Sequence, residues 1–100
     1  MVKKVNFNSA VAGAALDLVI FDIEGVQVSA GPFSIKYKNN IDDGSLDVLY
    51  SIGGPNGASY KITYSCMSDG ETKTDPAKPS PIDGKIQHFG GDTVKLTILL

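Results

Sequence analysis

The strongest constraint on this chain is a two-residue hydrophobic period. Val94, Leu96, Ile98 and Leu100 alternate with Lys95 and Thr97. Successive strand side chains point to opposite faces, so this pattern predicts a strand buried on one side. Tyr60, Ile62, Tyr64 and Cys66 alternate with Ser59, Lys61, Thr63 and Ser65, and Leu46, Val48, Tyr50 and Ile52 alternate with Asp47, Leu49 and Ser51. Phe33, Ile35 and Tyr37 facing away from Ser34, Lys36 and Lys38 predict a fourth strand, and Val26, Val28 and Ala30 a fifth, with Gly31-Pro32 as the turn between them.

Other segments are less regular. Leu16–Ile23 is apolar on both faces, with Leu18 and Ile20 on one and Val19, Phe21 and Ile23 on the other. Val5 and Phe7 suggest a short N-terminal strand, and Ile86 with His88, or Phe89 with Gln87, a short late one. Ser9–Leu16 is alanine-rich and fits at most a single helical turn, because Gly13 interrupts it. Ser68–Pro81 carries Pro76, Pro79 and Pro81, each lacking a ladder N–H, and is expected to be a long surface loop with Glu71–Thr74 pairing briefly at an edge. Seven or eight strands at this spacing predict an all-β, Greek-key β-sandwich, immunoglobulin-like in the loose architectural sense, as a single domain over residues 1–100.

Composition removes several functions. All nine basic residues are lysines, and eleven acids leave a net charge of −2. Without arginine's bidentate fork, neither nucleic acid nor an anionic membrane is an expected partner. The single Cys66 cannot form an intramolecular disulfide, and with one histidine, His88, structural zinc is not expected. Met1-Val2-Lys3-Lys4 begins like a signal peptide, but Asn6, Asn8 and Ser9 interrupt the apolar run that a leader needs next, so the expected location is cytoplasmic.

Catalytic equipment is sparse. His88 is the one imidazole, no G-x-S-x-G elbow occurs, and the Asp22/Glu24 pair has no evident carboxylate partner for glycosidase chemistry. A carboxylate-dependent hydrolase is therefore the third reading, and the chain is read as non-enzymatic. Gly53-Gly54-Pro55-Asn56-Gly57 and Gly90-Gly91-Asp92 read as turns, because neither has the residues of a phosphate cradle. Two aromatic-x6-glycine spacings, Tyr37 to Gly44 and Tyr50 to Gly57, are close to the number chance provides and carry no family assignment.

Oxygen donors concentrate in Asn39-Asn40-Ile41-Asp42-Asp43-Gly44, followed by Asp47. Hard cations prefer such donors, so calcium on Asp42, Asp43 and Asp47 is the only cofactor this loop suggests, as a calcium-binding Greek-key domain. The same residues favour plain turns. The leading expectation is a binding module that recognises a protein or glycan through the Asn39–Asp47, Gly53–Gly57 and Ser68–Pro81 loops, with Asn39, Asn40, Asp42, Asp43, Asp47 and Asn56 as contacts. Surplus apolar residues, Val19, Phe21, Ile23, Leu49 and Leu99, point to homo-oligomer packing, and the runner-up is a structural self-assembling protein.

Overall fold

In a computed structural model, which describes residues 2–30, 33–88 and 91–100, the chain is all-β: nine strands in two antiparallel sheets facing each other as a β-sandwich. The first sheet runs β4 (Ser34–Ile41), β1 (Lys3–Ala12), β6 (Ser59–Ser68), with β7 (Glu71–Lys73) and β8 (Ile82–Lys85) end to end on the far side of β6. The second runs β3 (Val26–Ala30), β2 (Leu18–Ile23), β5 (Ser45–Gly53), β9 (Asp92–Leu99). β5 returns beside β2 after β3 and β4, as the fourth strand of a Greek key lies beside its first, with β4 carried into the opposite sheet. No helix among the described residues is long and apolar enough to cross a membrane.

The two-residue period places the core. Leu46, Val48, Tyr50 and Ile52 of β5 and Val94, Leu96 and Ile98 of β9 meet Val5, Phe7 and Val11 of β1 and Ile62, Tyr64 and Cys66 of β6 in one buried cluster. Phe21 and Tyr50 pack edge to face with ring centroids 5.6 Å apart. The Tyr50 hydroxyl stays satisfied at the centre. Ser9 Oγ lies 2.6 Å from it and donates to the Thr63 carbonyl at 2.8 Å, so Tyr50 is the donor to Ser9. Burial raises the Tyr50 pKa, a neutral hydroxyl being what such a site tolerates.

Several elements differ from the sequence reading. β1 is a ten-residue strand that continues through Ser9–Ala12, a stretch whose composition fitted at most a single helical turn. Its inward period includes Ser9, whose polarity disguises it. β2 presents the opposite face from the one assigned: Val19, Phe21 and Ile23 are fully buried against the other sheet, and Leu18, Ile20 and Asp22 face out. Both sets are apolar but only one contains a carboxylate, and burying Asp22 unpaired would cost several kcal/mol. Val19, Phe21 and Ile23 are therefore core residues and not an exposed interface. β8 forms where no strand was expected; Gly84 pairs opposite Tyr60, whose ring takes the space a Cβ would need. The Gly31-Pro32 turn and Phe89 lie outside the described residues.

Two tight hairpins complete the frame. Glu24-Gly25 joins β2 to β3 and Asp69-Gly70 joins β6 to β7, each with both central residues at positive φ, as a type I′ turn demands.

Candidate functional site

A sandwich has two open sides, where the edges of its sheets face each other, and here they are treated differently. On one side β9 is the sheet edge, with the apolar alternation that invites another strand. The 74–81 segment leaves the first sheet between β7 and β8 and crosses to it. Asp75 accepts the Thr97 N–H at 3.0 Å and the Ala77 N–H at 2.9 Å, and the Lys78 ammonium donates to the Lys95 carbonyl. Two side chains thus occupy backbone positions that a tenth strand would use. Tyr64 anchors the segment to β6: its hydroxyl donates to the Lys78 carbonyl at 2.7 Å and accepts the Asp75 N–H at 3.1 Å. The Thr97 and Ala77 amides hold the Asp75 carboxyl below the usual carboxylate range, against the opposing effect of burial. The segment expected to be a contact loop is a seal.

On the other side β3 and β4 face each other across an open groove of about 480 Å³. Val26 and Val28, expected in the core, are 63% and 39% exposed at its wall. The β2–β3 register shifts between Phe21 and Asp22, so Ser29 pairs with Phe21, Gln27 with Asp22, and Val28 is left over as a bulge. Tyr37, Asn39, Asn40 and Asp43 line the opposite wall. Asn39 is doubly committed: its amide donates to the Tyr37 hydroxyl at 3.0 Å and its carbonyl accepts the Asn40 N–H at 2.9 Å.

The acidic end of the groove is where the two hairpins meet. Glu24 N–H donates to the Asp47 carbonyl at 2.9 Å, and Asp47 N–H donates to Glu24 Oε1 at 3.3 Å. Burial raises the Glu24 pKa, and the adjacent Asp43 and Asp47 carboxylates add to the rise while the Asp47 amide opposes it. Glu24 is the residue that sequence reasoning missed at this site; its signal was the Glu-Gly turn. Among the described residues no group of three or more acidic, histidine or cysteine side chains is arranged to hold a metal ion.

Of the residues singled out in sequence, Asn39, Asn40, Asp42 and Asp43 line this groove and Asp47 is tied to its rim through Glu24. Asn56 does not join them. It sits exposed beyond the far end of β5, whose length at about 3.3 Å per residue puts it roughly 27 Å from the Asp43 end. His88 is also at that far end, its Nδ1 2.6 Å from Asp92 of β9, which pairs with Ile52. Cys66 is buried and its thiol is pushed up to about 11, the reverse of a reactive thiolate. Leu49 and Leu99 do face out, but the Asp47/Thr97 pair lies between their rows, so they form no common patch.

Comparison with protein-family models, with curated proteins and with solved structures finds no match to this chain.

Proposed function

We propose that the protein is a non-enzymatic binding module that takes a protein segment or a glycan in the groove between β3 and β4. The observation that carries this reading is convergence. Amides and carboxylates from the Asn39–Asp43 stretch and from Glu24 meet exposed Val26, Val28 and half-buried Tyr37 on the one side of the sandwich that no segment among the described residues seals. A few polar groups around an apolar wall is the usual chemistry of recognition sites. The lone imidazole and the thiol, the two most reactive side chains, lie elsewhere: one at the opposite end of β5, the other inside the core.

The test is a random eight-residue peptide library and a glycan array, each probed with the native protein and with Val28→Asp. Val28 is exposed, so its substitution should change stability by no more than about 0.5 kcal/mol. Binders of either kind should lose at least tenfold affinity for the variant. Binders indifferent to both Val28→Asp and Asp43→Ala would place the site elsewhere and end the reading.

A second reading, self-association, is favoured by the outer face of the second sheet. Leu18 is 42% exposed and Ile20 is a diagonal neighbour of Leu49 across the β2–β5 ladder. Asp22 and Lys95 flank Leu49 on either side, which limits the apolar area. Light scattering at rising concentration decides it: a defined oligomer that Leu18→Asp returns to monomer supports this reading, and a monomer throughout removes it.

A further inference from the structure

We infer that the occupant of the groove is an extended peptide that adds as a strand to the free edge of β4, with acidic residues on the side facing Lys36 and Lys38. The inference rests on the reading of the groove as the binding site and goes further, by choosing peptide over glycan and stating its pattern.

The backbone of β4 supplies the first argument. Val11 N–H donates to the Phe33 carbonyl at 2.8 Å, and the β1–β4 register pairs residues whose numbers keep that sum. In an antiparallel ladder the two groups of one residue point the same way, and consecutive residues alternate. Ile35, Tyr37 and Asn39 are therefore bonded to β1, while Ser34, Lys36 and Lys38 aim both N–H and carbonyl away from the sheet. Among the described residues none of these outward groups has a partner, in contrast to Lys95 and Thr97 on β9. Asn39 closes the row by taking the Asn40 N–H. The edge offers a span of about five residues and then stops.

Side chains define the occupant. A strand laid along β4 places alternate residues opposite Lys36 and Lys38 on the outer face, where the next strand contributes Asn6 and Asn8 and no acid. Opposite charges directly across a ladder attract and like charges repel. The remaining residues turn inward over Val26 and Val28, which want apolar contact. At the end of β4 the carboxylates of Glu24 and Asp43 favour a cation, so an antiparallel peptide enters there with its N-terminal amine or a basic residue. A second copy of β4 is a poor occupant, because antiparallel pairing along this stretch sets lysine against lysine.

The experiment uses the full chain and a synthetic peptide with an N-terminal lysine followed by alternating valine and glutamate. Amide hydrogen exchange is followed residue by residue. Strand addition should slow exchange at Lys36 and Lys38 at least tenfold, while Tyr37, already bonded within the sheet, changes little. Methylating the peptide amides that face β4 should abolish binding, and methylating the others should not. Lys36→Glu with Lys38→Glu should reverse the preference, favouring the peptide with lysine in place of glutamate. If the peptide binds without protecting Lys36 and Lys38, or fails to bind, strand addition is wrong. In that event a glycan whose binding is lost in Val28→Asp leaves the groove reading standing. Ligands that ignore both Val28→Asp and Asp43→Ala overturn both.

Discussion

The two open sides of this sandwich have similar starting problems and opposite solutions. Both expose a sheet edge beside apolar side chains. On the β9 side a proline-bearing segment crosses the gap and offers the Asp75 carboxylate and Lys78 ammonium to the strand, so that the edge is chemically occupied without being paired. On the β3–β4 side the edge of β4 has two lysines, which deter indiscriminate pairing, and the groove behind it stays open. An edge that must not pair is capped, and an edge guarded only by charge remains available to a strand of the complementary charge.

The largest expected effect breaks the sealed side. Asp75→Ala removes the acceptor of the Thr97 and Ala77 amides and frees half of the β9 edge, leaving only the Lys78 contact to Lys95. Hydrogen bonds to a charged group are worth about 1.5–3 kcal/mol, so urea unfolding should show a loss of about that size. Light scattering should show new self-association, because the exposed edge then presents Thr97 to other chains. The Asp75 pKa is depressed in the fold, so its contribution is present above the ordinary carboxylate pKa and is lost as pH falls through the folded value. The wild type should therefore lose stability on acidification more steeply than Asp75→Ala. A variant that is as stable and as monomeric as the wild type would show that the segment is incidental to the edge.

Much of this arrangement was legible in the sequence, and the exceptions have physical causes. Alternation alone located β4, β5, β6 and β9, because one face of each is free of polar residues over most of its length. β2 was misread because both its faces are apolar, although Asp22 already marked the outward one. The start of β1 was marked by Val5 and Phe7, but its second half was hidden by the alanines after Ser9, a serine tolerated inside because Tyr50 and the Thr63 carbonyl satisfy it. Within the segment read as loop, the brief edge pairing expected of Glu71–Thr74 is β7, but the Asp69-Gly70 hairpin that creates it was passed over, although it carries one of the strongest short-range turn signals. For the proposed site, clustered Asn and Asp pointed to the Asn39–Asp43 stretch. Val26 and Val28 were invisible as groove residues, since alternation shows that a strand has an apolar face but not whether another strand covers it. The Asp75 cap depends on contacts 22 residues apart in the chain, which no local pattern encodes.

The smallest expected effect sharpens the comparison at the open side, where Glu24 is a carboxylate held against its preference. Its pKa is raised by burial and by Asp43 and Asp47, so the folded state binds a proton more tightly than the unfolded chain does. For such a group stability declines as pH rises from the ordinary carboxylate pKa through the folded one, the reverse of Asp75. Glu24→Gln keeps an oxygen to accept the Asp47 N–H and removes the charge. It should stabilise the protein at pH 7 by less than about 1 kcal/mol, given solvent screening at the rim, and the gain should vanish near pH 4. Thermal unfolding of both proteins at the two pH values measures it. A gain of equal size at both would assign the effect to packing instead of charge. A loss at pH 7 would mean that the carboxylate's bond to the Asp47 amide outweighs its repulsion by Asp43 and Asp47, so that the acidic end of the groove is a settled turn with no standing preference for a cation.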